Sequence, residues 1–193
     1  MIRDRRDDVI GMTASNDEER LVQRAQQGDA NAFAEVYERH QSAVYRYIYY
    51  RVGDASTAED LTSAVFVRVV ESIDRFVYRG RPLLSWLYTI AGNIVIDYQR
   101  RAARGVILPL DERLVSGSED VEQAAYRAAT QEELAEALTH LTEDQRRVIL
   151  LRFMEGMSNE EVARTLGKSV GAVKALQHRA LARLHRVLGR KSL

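Results

Sequence analysis

The chain has 193 residues, no cysteine, two prolines and a formal net charge of zero, with 28 basic and 28 acidic side chains. This length suits two small domains, and the scarcity of proline among many helix formers predicts an all-α protein. The absence of cysteine excludes disulfides, thiolate zinc sites and thiol nucleophiles. The sequence contains no apolar run of about 18 residues and no signal core, so we expect a cytoplasmic protein without direct membrane contact.

The spacing of apolar residues predicts helices in the first half of the chain. Residues 1–16 are charged and lack such a pattern, and we expect them to be disordered. Residues 17–103 are expected to form a first small helical domain, whose first two helices end at Gly28 and Gly53.

Two local signals mark the later helices of this domain. Ser56 followed by Glu59 is a capping-box signature that opens the third helix, and Pro82 suits the first turn of the fourth. Gly92 falls inside the fourth helix, where glycine costs about 1 kcal/mol relative to alanine. It either permits a close backbone approach or has no role.

A tether separates the two predicted domains. Residues 104–129 contain glycine, proline, serine and many acids, which is typical of a flexible, acidic linker. Residues 130–193 are expected to form the second helical domain. Its helix starts are predicted by serine or threonine followed three positions later by Glu or Gln. These pairs are Thr130 with Glu133, Thr142 with Gln145, and Ser158 with Glu161.

The segment SNEEVARTLGKSVGAVKALQHRALARL has the spacing of a helix-turn-helix, with Ala163 where the helices cross and Gly167 at the turn. In such a unit the second helix presents its N-terminal residues to base edges in the major groove. The base-edge candidates are Ser169, Val170, Lys174, Gln177 and His178, and the phosphate candidates are Arg179 and Arg183. The alternative is an ordinary helical hairpin with a solvated basic face. Every charged residue from Arg164 onward is basic, so the zero net charge hides a basic block, which favours DNA binding.

Two stretches of the chain resemble one known family. AEDLTSAVFVRVVESIDRF with RGRPLLSWLYTIAGNIVIDYQRR looks like the second conserved domain of the extracytoplasmic-function (group 4) sigma factors of the sigma-70 family. LTEDQRRVILLRFMEGMSNEEVARTLGKSVGAVKALQHRAL looks like their fourth. The resemblance covers about residues 17–190 and implies two small helical domains joined by a flexible linker. It also implies a role in promoter-specific transcription initiation, in which the first domain recognises and helps melt the minus-ten element and the second reads the minus-thirty-five element.

The resemblance further implies a polymerase-binding surface. The helix containing AEDL would dock on the clamp helices of the largest subunit of core RNA polymerase, and the second domain would contact the flap of the second subunit. The polymerase-binding candidates are Asp60, Leu61, Ser63, Phe66 and Arg68. Phe66 is alternatively a core residue. This sequence has Ser63 and Ala64 where the family usually has a Gln-Glu pair.

A base-reading segment, from Val77 to Ser85, is also implied by the resemblance. It would receive a base extruded from the non-template strand, whose unstacking costs a few kcal/mol and whose stacking on an aromatic ring returns about 1–3 kcal/mol. The available groups are Tyr78, Trp86, Tyr88 and Asn93, and the candidates for holding the adjoining backbone are Arg100, Arg101 and Arg104. Trp86 is alternatively core, and Tyr78 is the freer aromatic.

No catalytic or metal-binding pattern accompanies these features. The four histidines lack ligand spacing, and there is no phosphate-binding glycine loop or nucleophile elbow, so we predict no enzyme activity, no cofactor and no metal site. The partners implied by the resemblance are core RNA polymerase, promoter DNA and an anti-sigma factor. Two other hypotheses remain open: a self-sufficient helix-turn-helix repressor or activator, which predicts a palindromic operator, and a helical adaptor that does not bind DNA.

Overall fold

A computed structural model describes residues 5–78, 82–105 and 133–189 of the chain, with side chains from residue 16. These residues form helices and turns and no strand, which confirms the all-α prediction. The helices are α1 (Arg5–Gln26), α2 (Ala30–Val52), α3 (Ala55–Ser72), α4 (Leu83–Ala103), α5 (residues 133–139), α6 (Glu143–Ile149), α7 (Asn159–Leu166) and α8 (Val170–Leu188). A short 3₁₀ turn, Ile73–Arg75, follows α3, and a π-helical segment, Leu150–Met154, follows α6.

Helices α1 to α4 form the first packed unit. α2 packs against α3 and α4, and α1 packs against α2. Apolar residues spaced three and four apart on each helix meet in the centre, as an amphipathic helix requires. The fully buried side chains of this core are Val22, Val36, Val44, Tyr47, Ile48, Val65, Leu83, Leu87 and Tyr88. None of the described helices is both long and apolar enough to cross a membrane.

One prediction for this unit, the start of α3, is wrong. Residues 1–4 of the segment expected to be disordered lie outside the described part of the chain, and helix α1 begins at Arg5. Its C-terminal part is anchored by buried Leu21 and Val22, and a nucleated helix extends at one hydrogen bond per added residue when no proline interrupts it. The cap of α3 is Asp54, whose carboxylate accepts from the Thr57 backbone N–H at 2.7 Å, so the helix starts before the predicted Ser56 box.

Helices α5 to α8 form the second unit, in which α8 packs against both α6 and α7. The predicted capping boxes at Thr142 and Ser158 are both present, each with its reciprocal hydrogen bonds. Gly167 ends α7 in a left-handed conformation, with φ of 63°, which a side chain would strain. The predicted cap Thr130 and nearly all of the predicted linker, residues 106–129, lie outside the described part of the chain.

The two units contact each other directly. α4 packs against α7, and buried apolar residues of both units belong to one continuous cluster. This arrangement brings the predicted minus-ten surface next to the helix-turn-helix.

Candidate nucleic-acid interface

The helix-turn-helix is assembled by local signals and a small buried core. Ala163 and Val173 are buried where α7 and α8 meet, as their positions in the motif predict. The Ser169 hydroxyl accepts from the Ala172 backbone N–H at 3.2 Å and so caps α8. Val170 is half-buried against the core. These contacts hold the start of α8 rigidly, which is what a helix needs in order to present side chains to base edges.

The exposed face of α8 contains most of the predicted DNA contacts. Lys174 and His178 are exposed four residues apart and lie on one face of the helix, whereas Gln177 is half-buried. Arg179 and Arg183 are also exposed, about 140° and 180° around the helix from Lys174. Lys168 is instead paired with Asp144 at 2.9 Å and supports the turn. The structure therefore separates base-edge candidates from flanking phosphate candidates.

The predicted minus-ten residues on α4 divide between the surface and the core. Asn93 is exposed, and Trp86 is half-buried with its ring 4.9 Å from that of Phe76. Both residues line a cleft of about 650 Å³, together with Ser85 and Thr89. Trp86 is therefore neither a core residue nor a fully exposed one, because its ring packs against Phe76 and also borders the cleft.

Tyr88 is a core residue, and its assignment as a base-reading group is wrong. Its side chain is 0% exposed, and its ring lies 4.9 Å from the ring of Tyr47. Burial raises the pKa of its phenol. Residues two apart on an α-helix point about 200° away from each other, so Trp86 and Tyr88 cannot both face the cleft.

Tyr78 is half-buried, and its hydroxyl lies close enough to the carboxylate of Glu18 on α1 to act to lower the pKa of that carboxyl. Trp86 is half-buried as well, so the prediction that Tyr78 is the freer aromatic stays a prediction. At the other end of α4 the three predicted backbone-binding arginines are exposed, and one of them, Arg100, lies 3.8 Å from Asp97. These three residues are Arg100, Arg101 and Arg104.

The predicted polymerase-binding residues surround the exposed surface of α3, with Phe66 on one edge and Leu61 and Arg68 on the other. Asp60, Ser63 and Arg68 are exposed, and Leu61 is half-buried. Phe66 is half-buried, with its ring edge-on to Tyr37 at 4.8 Å. It borders an apolar groove between α2 and α3.

Sequence reasoning missed two prominent members of that groove. Val67 is 59% exposed and Val70 is 57% exposed. Val67 and Val70 are three residues apart and therefore lie on the same side of α3. This side differs from the one that the helix buries in the core. A second apolar side on an amphipathic helix is the sequence signal that could have identified them.

Ion pairs between the two units were also missed. The Arg51 guanidinium on α2 is 0% exposed, pairs with Glu143 of α6 and stacks over the Tyr47 ring at 5.1 Å. Arg46 pairs with Glu155 at 2.7 Å, and this carboxylate is only 7% exposed. Each pair joins residues about a hundred positions apart, so no local sequence pattern could have predicted them.

Gly92 lies at the same junction, where a side chain and not a backbone comes close to it. A Cβ at this position would stand 2.8 Å from Nη2 of Arg147 on α6. The backbone oxygen of Arg51 also accepts from Nη1 of Arg146 at 3.0 Å. Glycine therefore leaves room for the end of the Arg147 side chain beside the backbone of α4.

Comparison with known proteins agrees with this geometry. The family model "Sigma-70 region 2" matches residues 36–105, and "Sigma-70, region 4" matches residues 131–184. The chain is 42% identical over 174 residues to the ECF RNA polymerase sigma factor BldN of Streptomyces coelicolor, covering 87% of this chain and 64% of BldN. It is 37% identical over 170 residues to SigD of Mycobacterium tuberculosis, covering 85% of this chain and 80% of SigD.

Solved structures show the same architecture. CnrH in complex with the cytosolic domain of CnrY superposes with a TM-score of 0.69 at 28% identity, covering 90% of this chain and 97% of that one. RpoE of Bartonella quintana, in complex with the anti-sigma factor NepR, superposes with a TM-score of 0.65 at 25% identity, covering 81% and 96%. The fold and its exposed faces define a two-part, DNA-binding regulator of transcription. The chain belongs to the family of extracytoplasmic-function RNA polymerase sigma factors.

Proposed function

We propose that three separate surfaces of this sigma factor carry out promoter recognition. The α3 side with Phe66 and Val67 docks on core polymerase, the α4 face with Trp86 and Asn93 reads the minus-ten element, and α8 reads the minus-thirty-five element. The observation that carries this division is the exposed face of α8, which presents Lys174 and His178 and has no acidic residue. Membership of the family argues against both the free-standing regulator and the helical adaptor.

The division requires the two packed units to separate on a promoter. Asn93 and Gly167, at the start of the helix-turn-helix turn, line the same cleft. Elements centred about 25 base pairs apart lie about 85 Å apart along B-DNA at 3.4 Å per base pair. One compact body cannot reach both. Linking two weak readers then raises their joint affinity through effective concentration once they have separated.

The partners follow from the family and from the surfaces. Core RNA polymerase binds the α3 side through the clamp helices of its largest subunit, and the second domain through the flap of its second subunit. Promoter DNA binds α4 and α8. Because CnrH and RpoE were solved with CnrY and the anti-sigma factor NepR, we include an anti-sigma factor. The protein acts in the cytoplasm with the polymerase, which performs the chemistry.

Run-off transcription from a randomised promoter library, with core polymerase and each variant, tests the division. Lys174→Ala should flatten base preference in the minus-thirty-five element by about fivefold or more, the scale of one base contact. Arg186→Ala removes the same charge at the far end of α8 and should leave this preference unchanged. Val67→Glu should abolish polymerase binding and all starts. Asn93→Ala should weaken preference only in the minus-ten element.

A phosphate contact has a different signature. Arg183→Ala should weaken binding to every promoter equally and lower the salt dependence by about 0.9 log units per log unit of salt. If the library gives no new start sites while the protein alone binds palindromes, the proposed function is wrong.

A further inference from the structure

Helix α4 receives its N-terminal cap from a distant residue. The residue before α4 is Pro82, whose side chain offers no acceptor, although the first N–H groups of every helix need one. Oε1 of Glu18, on α1, accepts from the Leu83 backbone N–H at 3.0 Å. A carboxylate at this end of a helix is also favoured by the helix dipole. Glu18 therefore fixes where α4 begins.

A second residue of α1 holds the chain on the other side of residues 79–81. Nε2 of Gln26 donates to the backbone oxygens of Ile73 at 2.9 Å and Phe76 at 2.7 Å. These two carbonyls belong to the turn that follows α3. One amide group thus ties the end of α3 to α1.

Both contacts lead to the proposed minus-ten surface. Gln26 positions the backbone of Phe76, whose ring packs on Trp86 at 4.9 Å. Glu18 holds the start of α4, from which Trp86 projects one turn later. The aromatic groups that border or precede the cleft are therefore oriented from α1, which itself lies outside the cleft lining.

We propose that Glu18 and Gln26 are positioning residues that set the base preference of the minus-ten surface. This inference rests on the proposed function, in that the cleft beside Trp86 must read the minus-ten element. A reading surface discriminates between bases only while its groups stay within a few tenths of an ångström of their places. Loss of either contact should loosen that surface without changing its composition.

The test uses the full-length protein with core polymerase and a promoter library randomised in both elements. Glu18→Ala and Gln26→Ala should each flatten the minus-ten preference by about fivefold or more, the scale of one base contact. Glu18→Gln keeps an acceptor and should retain preference within about twofold. The matched controls are Asp17→Ala on α1 and Gln27→Ala in the turn that follows it, both at exposed positions. Neither side chain forms a hydrogen bond or ion pair with another described residue, and both variants should behave as the wild type.

The minus-thirty-five preference and the melting temperature are recorded for every variant. Minus-ten preference lost in Glu18→Ala, with the minus-thirty-five preference intact, supports the inference. A lower melting temperature with full minus-ten preference shows a purely structural role and overturns it. If the wild type itself shows no minus-ten preference, the assignment of the cleft fails, and the inference fails with it.

Discussion

Replacing Glu143 by alanine should release the two packed units from each other. The guanidinium of Arg51 is 0% exposed, and its partner Glu143 is 32% exposed. Removing one partner of a buried pair costs about 3–5 kcal/mol, and we expect about 3 kcal/mol because water screens part of the Glu143 charge. The loss appears as separation rather than unfolding, since Arg51 regains water when the units part. The expected shift toward the open form is about a hundredfold.

Energy transfer between two dyes measures this shift directly. The chain has no cysteine, so Ala64→Cys on α3 and Ala182→Cys on α8, both exposed, allow labelling without background. Glu143→Ala should lower the transfer efficiency. Glu160→Ala, an exposed acid of the second unit that forms no ion pair with any described residue, should not.

A double-mutant cycle separates this pair from general destabilisation. Arg51→Met alone should open the protein, and adding it to Glu143→Ala should have little further effect, because the pair is already broken. The reasoning is refuted if transfer efficiency is unchanged in Glu143→Ala, or if the coupling energy is below about 0.5 kcal/mol.

Two further predictions concern single positions. Gly92→Ala should slow amide exchange within α4, since alanine stabilises a helix interior by about 1 kcal/mol. Its Cβ would stand 2.8 Å from Nη2 of Arg147, and the end of this flexible side chain can move away. The dye transfer efficiency should therefore fall by much less than in Glu143→Ala, and an equal fall would contradict this reading. Burial raises the pKa of Glu18 above 4.5, although Leu83, Arg39 and Tyr78 partly oppose it. The native state therefore binds the proton of the Glu18 carboxyl more tightly than the unfolded chain does. The stability that this protonated carboxyl contributes is lost as pH rises through its raised pKa. Urea unfolding across pH should show the wild type losing stability relative to Glu18→Gln over this window; a difference independent of pH would contradict it.

Several features of this protein were predictable because they depend on neighbours in sequence. Capping boxes at Thr142 and Ser158 need only four consecutive residues, and Gly167 marks a turn by its own conformational freedom. The order of these signals predicts the helix-turn-helix and which side of α8 is exposed. One local pattern was ambiguous, because Asp54 and Ser56 are both good capping residues, and the structure uses Asp54.

The candidate binding surfaces could be located only from the tertiary structure. Periodicity could not tell whether Trp86 or Tyr88 faces the core, because each has apolar neighbours at helical spacing.

The sequence alone determined the helices, most of their caps and the family to which the chain belongs. These follow from short-range hydrogen bonding and from the period of apolar residues. Only the tertiary structure decided that Arg51 is buried against Glu143, that Gly92 lets Arg147 approach, and that a carboxylate on α1 caps α4. The physical reason is that each contact joins residues about 50 or more positions apart in the chain, and the value of a charge or a hydrogen bond depends on what packing places around it.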